Sequence, residues 1–89
     1  MNSATGMPIK KTPSKEAIQD WLRVRIAQSI QVAVEEIDVT LPFAYYGLDS
    51  VAALGMSGDL EAWLGRKLPQ TLTWDYPNIE LLAAFLAQG

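Results

Sequence analysis

Three segments of the chain repeat apolar residues at the spacing of an α-helix. In the first segment one apolar residue follows every four positions: Ile18, Leu22, Ile26 and Ile30. This spacing places them on one face of a helix. Thr12 and Ser14 are both suitable N-caps for it. We predict an amphipathic helix that begins near Ser14. Its end is less defined, because Gln31 to Val34 contain no glycine or proline.

A second helix is predicted from Asp49 or Ser50 to about Leu64. Gly65 suits the left-handed C-cap, and Arg66 and Lys67 suit the negative helix end. At 100° per residue, the predicted core face holds Ala53, Met56, Ser57, Leu60, Trp63 and Leu64. The opposite face is small or apolar, with Val51, Leu54, Gly55, Gly58 and Ala62.

The two glycines inside this helix are unusual, because each costs about 1 kcal/mol relative to alanine. One interpretation is that Gly55 and Gly58 let another helix of the same domain approach closely. The other is that a separate molecule comes near this face. The pattern alone leaves both interpretations open.

Residues 35–49 carry apolar side chains at no single period, so we predict a long loop whose side chains enter the core. Ile37, Val39 and Leu41 alternate as in a strand, but no second strand is available to pair with them. The segment Thr73–Tyr76 allows one helical turn, which Pro77 ends. Asn78 caps a last helix that finishes near Gln88 and has one apolar side: Ile79, Leu82, Ala83, Phe85 and Leu86.

These elements predict an all-α fold, a small four-helix bundle with a short third helix. The 89 residues, 49% of them hydrophobic, suit one domain, which we place at residues 14–89. Residues 1–13 are expected to be a flexible arm, a linker or a remnant of expression, because Met7 is a second possible start.

Charge and composition exclude several functions. The net charge of −3 gives no basic field for nucleic acid. We therefore assign Trp21, Trp63, Trp74 and Phe85 to core or rim packing rather than to base stacking. No apolar run reaches the roughly 18 residues of a membrane helix, and the first residues do not resemble a signal peptide. We expect a soluble, cytoplasmic domain that binds no membrane and is monomeric in isolation.

The chain contains no histidine and no cysteine. This excludes Ser-His and Cys-His nucleophile pairs and metal sites built on these residues. The lysines lie in the arm or at helix ends, and the neighbouring carboxylates do not converge. We therefore predict no catalytic residue, no metal site and no enzymatic activity. Ser50, at the start of the second helix, should project its hydroxyl beside free backbone N–H groups, unless it is simply a cap.

Several motifs stand in a recognisable order: Pro42-Phe43, Tyr46-Gly47-Leu48-Asp49-Ser50-Val51, Leu60-Glu61, Trp74-Asp75-Tyr76-Pro77 and the helix Ile79 to Leu86. From Ser14 to Ala87 the chain resembles an acyl carrier protein domain of modular polyketide synthases. The resemblance implies that Ser50 receives phosphopantetheine from coenzyme A through a separate, magnesium-dependent transferase. The arm's thiol would then carry acyl groups as thioesters. The family's docking surface maps onto Asp49, Val51, Leu54, Gly55, Gly58 and Glu61.

The resemblance also implies partners and a cargo. Expected partners are the phosphopantetheinyl transferase and synthase domains such as a ketosynthase, an acyltransferase or a fatty-acyl-AMP ligase. The run Ser57–Arg66, with Thr71–Trp74, is similar to carriers that stand beside fatty-acyl-AMP ligases. Leu48-Asp49 favours acyl over aminoacyl cargo, because peptidyl carriers usually have the motif Gly-Gly-x-Ser at this place. The alternatives are a peptidyl carrier of a nonribosomal peptide synthetase and a helical interaction module that uses the apolar face of the second helix.

The second helix departs from carriers of dissociated fatty acid synthesis, which bear several acidic residues along it. Here its first half is uncharged, and the acids begin at Asp59. We therefore expect docking by apolar and shape contacts, with little dependence on salt.

Overall fold

A computed structural model describes residues 12–88, which form four helices. These are α1 (Lys15–Ile30), α2 (Ser50–Leu64), α3 (Leu72–Asp75) and α4 (Ile79–Leu86). Two short 3₁₀ turns, Val34–Glu36 and Phe43–Tyr46, lie in the connection between α1 and α2. No strand occurs in this part of the chain, so the predicted all-α bundle with a short third helix is confirmed.

The predicted arm falls mostly on residues 1–11, which lie outside the described residues. Thr12 and Pro13 precede α1 and are not helical. The domain boundary at residue 14 therefore stays a prediction. Across residues 12–88, every helix is too short or too polar to cross a membrane.

The core forms where the apolar faces of α1, α2 and α4 meet. Side chains with no exposed surface include Ile18, Leu22, Ile26, Leu60, Leu72, Ile79, Leu82 and Leu86. Burying each large aliphatic side chain contributes about 1.5 to 3 kcal/mol. The predicted stripe on α1 is confirmed for its first three members, while Ile30 is half-buried at the helix end.

The helix starts follow the sequence-based prediction. The Ser14 hydroxyl accepts a hydrogen bond from the Ala17 N–H at 3.1 Å, so Ser14 rather than Thr12 is the cap. The Asn78 side chain accepts from the Leu81 N–H at 2.8 Å. Because these caps satisfy otherwise unpaired N–H groups, each stabilises its helix by about 1 kcal/mol.

Trp63 lies at the rim of the core, so its placement on the core face of α2 is wrong, whereas its assignment to core or rim packing holds. Its side chain is 41% exposed and stacks on Trp21 of α1, with ring centroids 5.4 Å apart and planes 11° from parallel. At 100° per residue Trp63 lies about 60° around α2 from the buried Leu60, at the edge of the core face.

The loop before α2 is fastened to the start of α4. The Phe43 N–H donates to the Pro77 carbonyl at 2.8 Å, and the Glu80 N–H donates to the Val39 carbonyl at 3.0 Å. The Asn78 side-chain amide donates to the Thr40 carbonyl at 3.3 Å. Because these bonds join segments about 40 residues apart, the loop is held in place without a sheet, and only an isolated bridge pairs Pro42 with Asn78.

A second set of hydrogen bonds closes the loop on itself. The Asp38 N–H donates to the Tyr46 phenol oxygen at 2.6 Å, and the Tyr46 hydroxyl donates to the Asp38 carbonyl at 3.1 Å. The Thr40 hydroxyl and N–H both donate to the Asp38 carboxylate and lower its pKa. Since the ionised form makes these bonds, their contribution to stability is present at neutral pH and is lost as the pH falls through the lowered pKa.

The Tyr46 hydroxyl provides a test of this loop. We expect Tyr46→Phe to lower the free energy of unfolding by about 1 to 2 kcal/mol, because it leaves two backbone groups of Asp38 without their partner. Urea denaturation measures the change. The neighbouring exposed Tyr45 serves as control, and Tyr45→Phe should change stability by less than about 0.5 kcal/mol. Equal effects of both substitutions would contradict the assigned role.

Candidate functional site

Ser50 is the first residue of α2, and its hydroxyl is not used by the fold. The Asp49 carboxylate accepts the capping hydrogen bond from the Ala52 N–H at 2.9 Å. Ser50 is exposed, and within residues 12–88 its hydroxyl makes no hydrogen bond. The hypothesis that Ser50 is merely a cap is therefore wrong, because Asp49 fills that role.

The tip of α2 is positively polarised. The backbone N–H groups of Ser50 and Val51 donate no hydrogen bond within the described part of the chain. Unpaired N–H groups at a helix start carry the positive end of the helix dipole, which favours a nearby anion by about 0.3 to 1 kcal/mol. An anionic group attached to Ser50 would lie at this end.

A glycine turn leads the chain into this position. Gly47 has φ 76°, and its N–H donates to the Ala44 carbonyl at 3.0 Å to close the preceding 3₁₀ turn. A side chain would be strained in this left-handed conformation. Leu48 is half-buried against the core, and Asp49 is extended, so α2 begins with Ser50 facing solvent.

The outer side of α2 is an exposed apolar surface, which we call the α2 face and define as Val51, Leu54, Gly55 and Gly58. Val51 is 79% exposed and Leu54 is 50% exposed. Apart from the backbone of α2 itself, a methyl group placed on Gly55 or Gly58 would meet no atom of the described domain within 4 Å. The interpretation that these glycines admit another helix of the same domain is therefore wrong for residues 12–88. The predicted outward orientation of this face is confirmed.

A groove of about 560 Å³ lies beside Ser50, between α2 and α3. Leu54 and Trp74 are among its lining residues, with Phe43, Ala53 and Pro77. Trp74 is 82% exposed, so its assignment to core or rim packing is wrong. The sequence contained one signal for this exposure. Leu72 enters the core from the single turn of α3, and a residue two positions later points to nearly the opposite side.

The remaining predicted docking residues differ from one another in their surroundings. Asp49 is exposed at the tip of α2, next to Ser50. Glu61 is half-buried, and its carboxylate accepts a hydrogen bond from the Leu68 N–H at 2.7 Å. Glu61 therefore stabilises the position of the segment that follows α2. This role is separate from its predicted role in docking. Within residues 12–88, no group of three acidic side chains is placed to hold a metal ion.

Comparison with known proteins identifies the family of this chain. A family model described as a phosphopantetheine attachment site matches residues 20–86. Mellein synthase of Phaeosphaeria nodorum is 32% identical over 73 residues, which are 76% of this chain and 4% of that protein. Acyl carrier protein TtuC of Teredinibacter turnerae is 32% identical over 79 residues, which are 89% of this chain and 91% of that protein. The chain thus spans a small part of the large synthases it matches and nearly all of a small carrier protein.

Solved structures of two carrier proteins have the same fold as this chain. A free-standing peptidyl carrier protein from Acinetobacter baumannii has a TM-score of 0.79 and 41% identity, covering 84% of this chain and 94% of its own. Asl1650, an acyl carrier protein from Anabaena sp. PCC 7120, has a TM-score of 0.82 and 37% identity, covering 97% of both chains. Both kinds of carrier therefore share this architecture.

The capping role of Asp49 can be separated from its charge. We expect Asp49→Ala to lower the free energy of unfolding by about 1 kcal/mol, because the Ala52 N–H loses its partner. Asp49→Asn keeps an oxygen at the same place and should retain most of the stability. Urea denaturation of both variants measures the difference. If Asp49→Asn were as unstable as Asp49→Ala, the cap would not be the source of the effect.

Proposed function

The chain belongs to the family of carrier domains with a phosphopantetheine attachment site, and we propose that it is an acyl carrier domain in which Ser50 holds the arm. The observation that carries the proposal is the hydroxyl of Ser50. It is exposed and unbonded within the described residues, and it lies at the positive end of a 15-residue helix. Because Asp49 provides the cap, the fold does not use this hydroxyl.

The surroundings of Ser50 fit the covalent group. The free N–H groups of Ser50 and Val51 suit a phosphate, and the groove beside Ser50 leaves room next to it. Asp49 is the nearest acidic residue in sequence, but its carboxylate is turned to the Ala52 N–H. When bound, phosphopantetheine supplies a terminal thiol that holds acyl groups as thioesters.

Attachment requires chemistry that this chain lacks. In the proposed step the Ser50 oxygen bonds to the phosphorus that bears pantetheine in coenzyme A. The pyrophosphate bond breaks, 3′,5′-ADP leaves, and the hydroxyl proton goes to a base. With no histidine in the chain and Asp49 engaged as a cap, we assign that base and the magnesium ion to a separate transferase. We infer that the domain itself catalyses nothing.

We assign partner docking to the α2 face, with Asp49, Glu61 and Trp74 at its margins. Val51, Leu54 and Trp74 expose large apolar surfaces near Ser50, and such exposure on a small protein is typical of interaction sites. Gly55 and Gly58 leave space for close approach. The proposed partners are the phosphopantetheinyl transferase and, within a cytoplasmic synthase, a ketosynthase, an acyltransferase or a fatty-acyl-AMP ligase.

A peptidyl carrier is the second candidate, favoured by the likeness to the peptidyl carrier protein from Acinetobacter baumannii. Leu48-Asp49 before Ser50 and the apolar groove favour acyl cargo instead. Incubation of the arm-bearing chain with ATP and either a fatty acid and a fatty-acyl-AMP ligase, or an amino acid and an adenylation domain, distinguishes the two. We expect the fatty acyl thioester to form.

Attachment at Ser50 is tested by intact mass spectrometry. Incubation with coenzyme A and a broadly specific phosphopantetheinyl transferase should add the mass of one arm. Ser50→Ala should abolish the addition, whereas Ser29→Ala, which removes another exposed serine hydroxyl, should leave it unchanged. An unchanged mass of the natural sequence with an active transferase would refute the proposal and would favour a simple interaction module.

Docking through the α2 face is tested by substituting two leucines of similar exposure, one on this face and one on α4. Leu54→Glu should slow acyl transfer between the arm-bearing chain and a ketosynthase of the same assembly line by at least tenfold, because a charge is placed in an apolar contact. Leu81→Glu on α4 is the control, since Leu81 is 47% exposed and Leu54 is 50% exposed. Circular dichroism should show both variants folded. If both were to transfer at the natural rate, docking would lie elsewhere.

A further inference from the structure

The far end of α2 carries two cations without acidic partners. Lys67 is exposed and forms no ion pair or hydrogen bond within residues 12–88. The Arg66 guanidinium donates to the Leu86 carbonyl at 3.4 Å and pairs with no carboxylate of the described chain. Both residues follow the C-cap Gly65, and both line shallow depressions at this end of the helix.

The acidic residues of the same region are engaged within the domain. The Asp59 carboxylate pairs with Arg25 of α1, with an N–O distance of 2.9 Å. The Glu61 carboxylate accepts from the Leu68 N–H. Among the described side chains of this region, the two carboxylates stand against three cations, Arg25, Arg66 and Lys67. Their side-chain charge is therefore +1, although the whole chain carries −3. The acids that begin at Asp59 in the sequence do not make this end an acidic surface.

The charged side chains at the two ends of α2 differ in sign, with the opposite sense to the helix dipole. Asp49 is the charged residue at the Ser50 end, and Arg66 and Lys67 follow the other end of α2, whose 15 residues span about 22 Å. The α2 face between them is uncharged. It therefore does little to favour one orientation of α2 across a partner over the reverse orientation. Opposite charges at its ends distinguish one orientation of the helix from the reverse.

We propose that the synthase domains that dock on the α2 face place carboxylates against Arg66 and Lys67, and that these contacts set the direction in which α2 lies across the partner. The inference rests on the proposed carrier function. The partner that fits has an apolar entrance for Ser50 and its cargo, with acidic side chains about 22 Å from that entrance. A polyanion such as nucleic acid is a poorer fit, because two cations on a chain of net charge −3 neutralise few phosphates.

The test measures how fast the docked complex forms. A coenzyme A analogue whose arm ends in a chloroacetamide in place of the thiol is used by the transferase, which attaches the arm to Ser50 and releases 3′,5′-ADP. The chloroacetamide is then captured by the catalytic cysteine of a ketosynthase domain of the same assembly line. The thiolate displaces chloride and leaves a thioether between the two proteins. Because the carrier contains no cysteine, the analogue reacts only on the partner.

We expect Lys67→Gln to slow this crosslinking by about threefold and Lys67→Glu by about tenfold at low salt, with both differences lost near 0.5 M salt. This salt dependence replaces the weak one expected from the sequence, where Arg66 and Lys67 were considered only as helix-end residues. The control is Leu81→Glu, which changes the net charge by the same amount as Lys67→Gln but lies on the outward side of α4. It should crosslink within twofold of the natural rate. Attachment of the analogue should be normal in every variant, as followed by mass.

Two other outcomes would overturn the inference, and a third would overturn the proposed function. If the analogue attaches normally but Lys67→Glu crosslinks at the same rate as Leu81→Glu, the inference is overturned and the carrier function stands. Faster crosslinking of Lys67→Glu would mean that the partner is basic at this place and would also overturn it. If Ser50 accepts no analogue, the proposed function itself fails.

Discussion

The position of Ser50 depends on the hydrogen bonds that join the loop before α2 to the start of α4. The Phe43 N–H reaches the Pro77 carbonyl, and the Glu80 N–H reaches the Val39 carbonyl. These bonds satisfy a helix-start N–H of α4 and fix an irregular segment that has no strand or helix to hold it. The Gly47 turn then begins α2 at a defined place. An exposed serine is thereby presented by a rigid support.

At the start of α2 the capping role and the candidate chemistry fall on adjacent residues. Asp49 satisfies the Ala52 N–H, so the Ser50 hydroxyl has no structural duty. If Ser50 were the cap, its oxygen would be bonded to the backbone and less accessible to a visiting enzyme. The Asp-Ser pair therefore keeps both the helix start and a free hydroxyl, which explains why the order of the two residues matters.

The two sides of α2 have opposite requirements. Met56 and Leu60 bury their side chains and stabilise the bundle, whereas Val51 and Leu54 leave apolar surface in water. Gly55 and Gly58 lower helix stability without filling any contact inside the described domain. A fold selected only for stability would place alanine or a charged residue there. The cost is consistent with a surface that must fit a second protein closely.

The sequence by itself determined the features that depend on residues close together along the chain. Each cap lies within three residues of the N–H group it satisfies. The sequence therefore limited the caps to Thr12 or Ser14, to Asp49 or Ser50, and to Asn78, and Gly65 marked the end of α2. The end of α1 had no such signal, because Gln31 adopts the left-handed conformation that usually requires glycine.

Only the tertiary structure decided which side chains make contacts within the bundle and which remain exposed. Asp59 pairs with Arg25, 34 positions away, so its charge is not available in the way the sequence suggested. Trp63 stacks on Trp21 instead of entering the core, and Trp74 lies open beside the groove. Periodicity defines a direction around one helix, but burial depends on what the other helices place in that direction. The exposed surface around Ser50 is therefore a property of the assembled bundle.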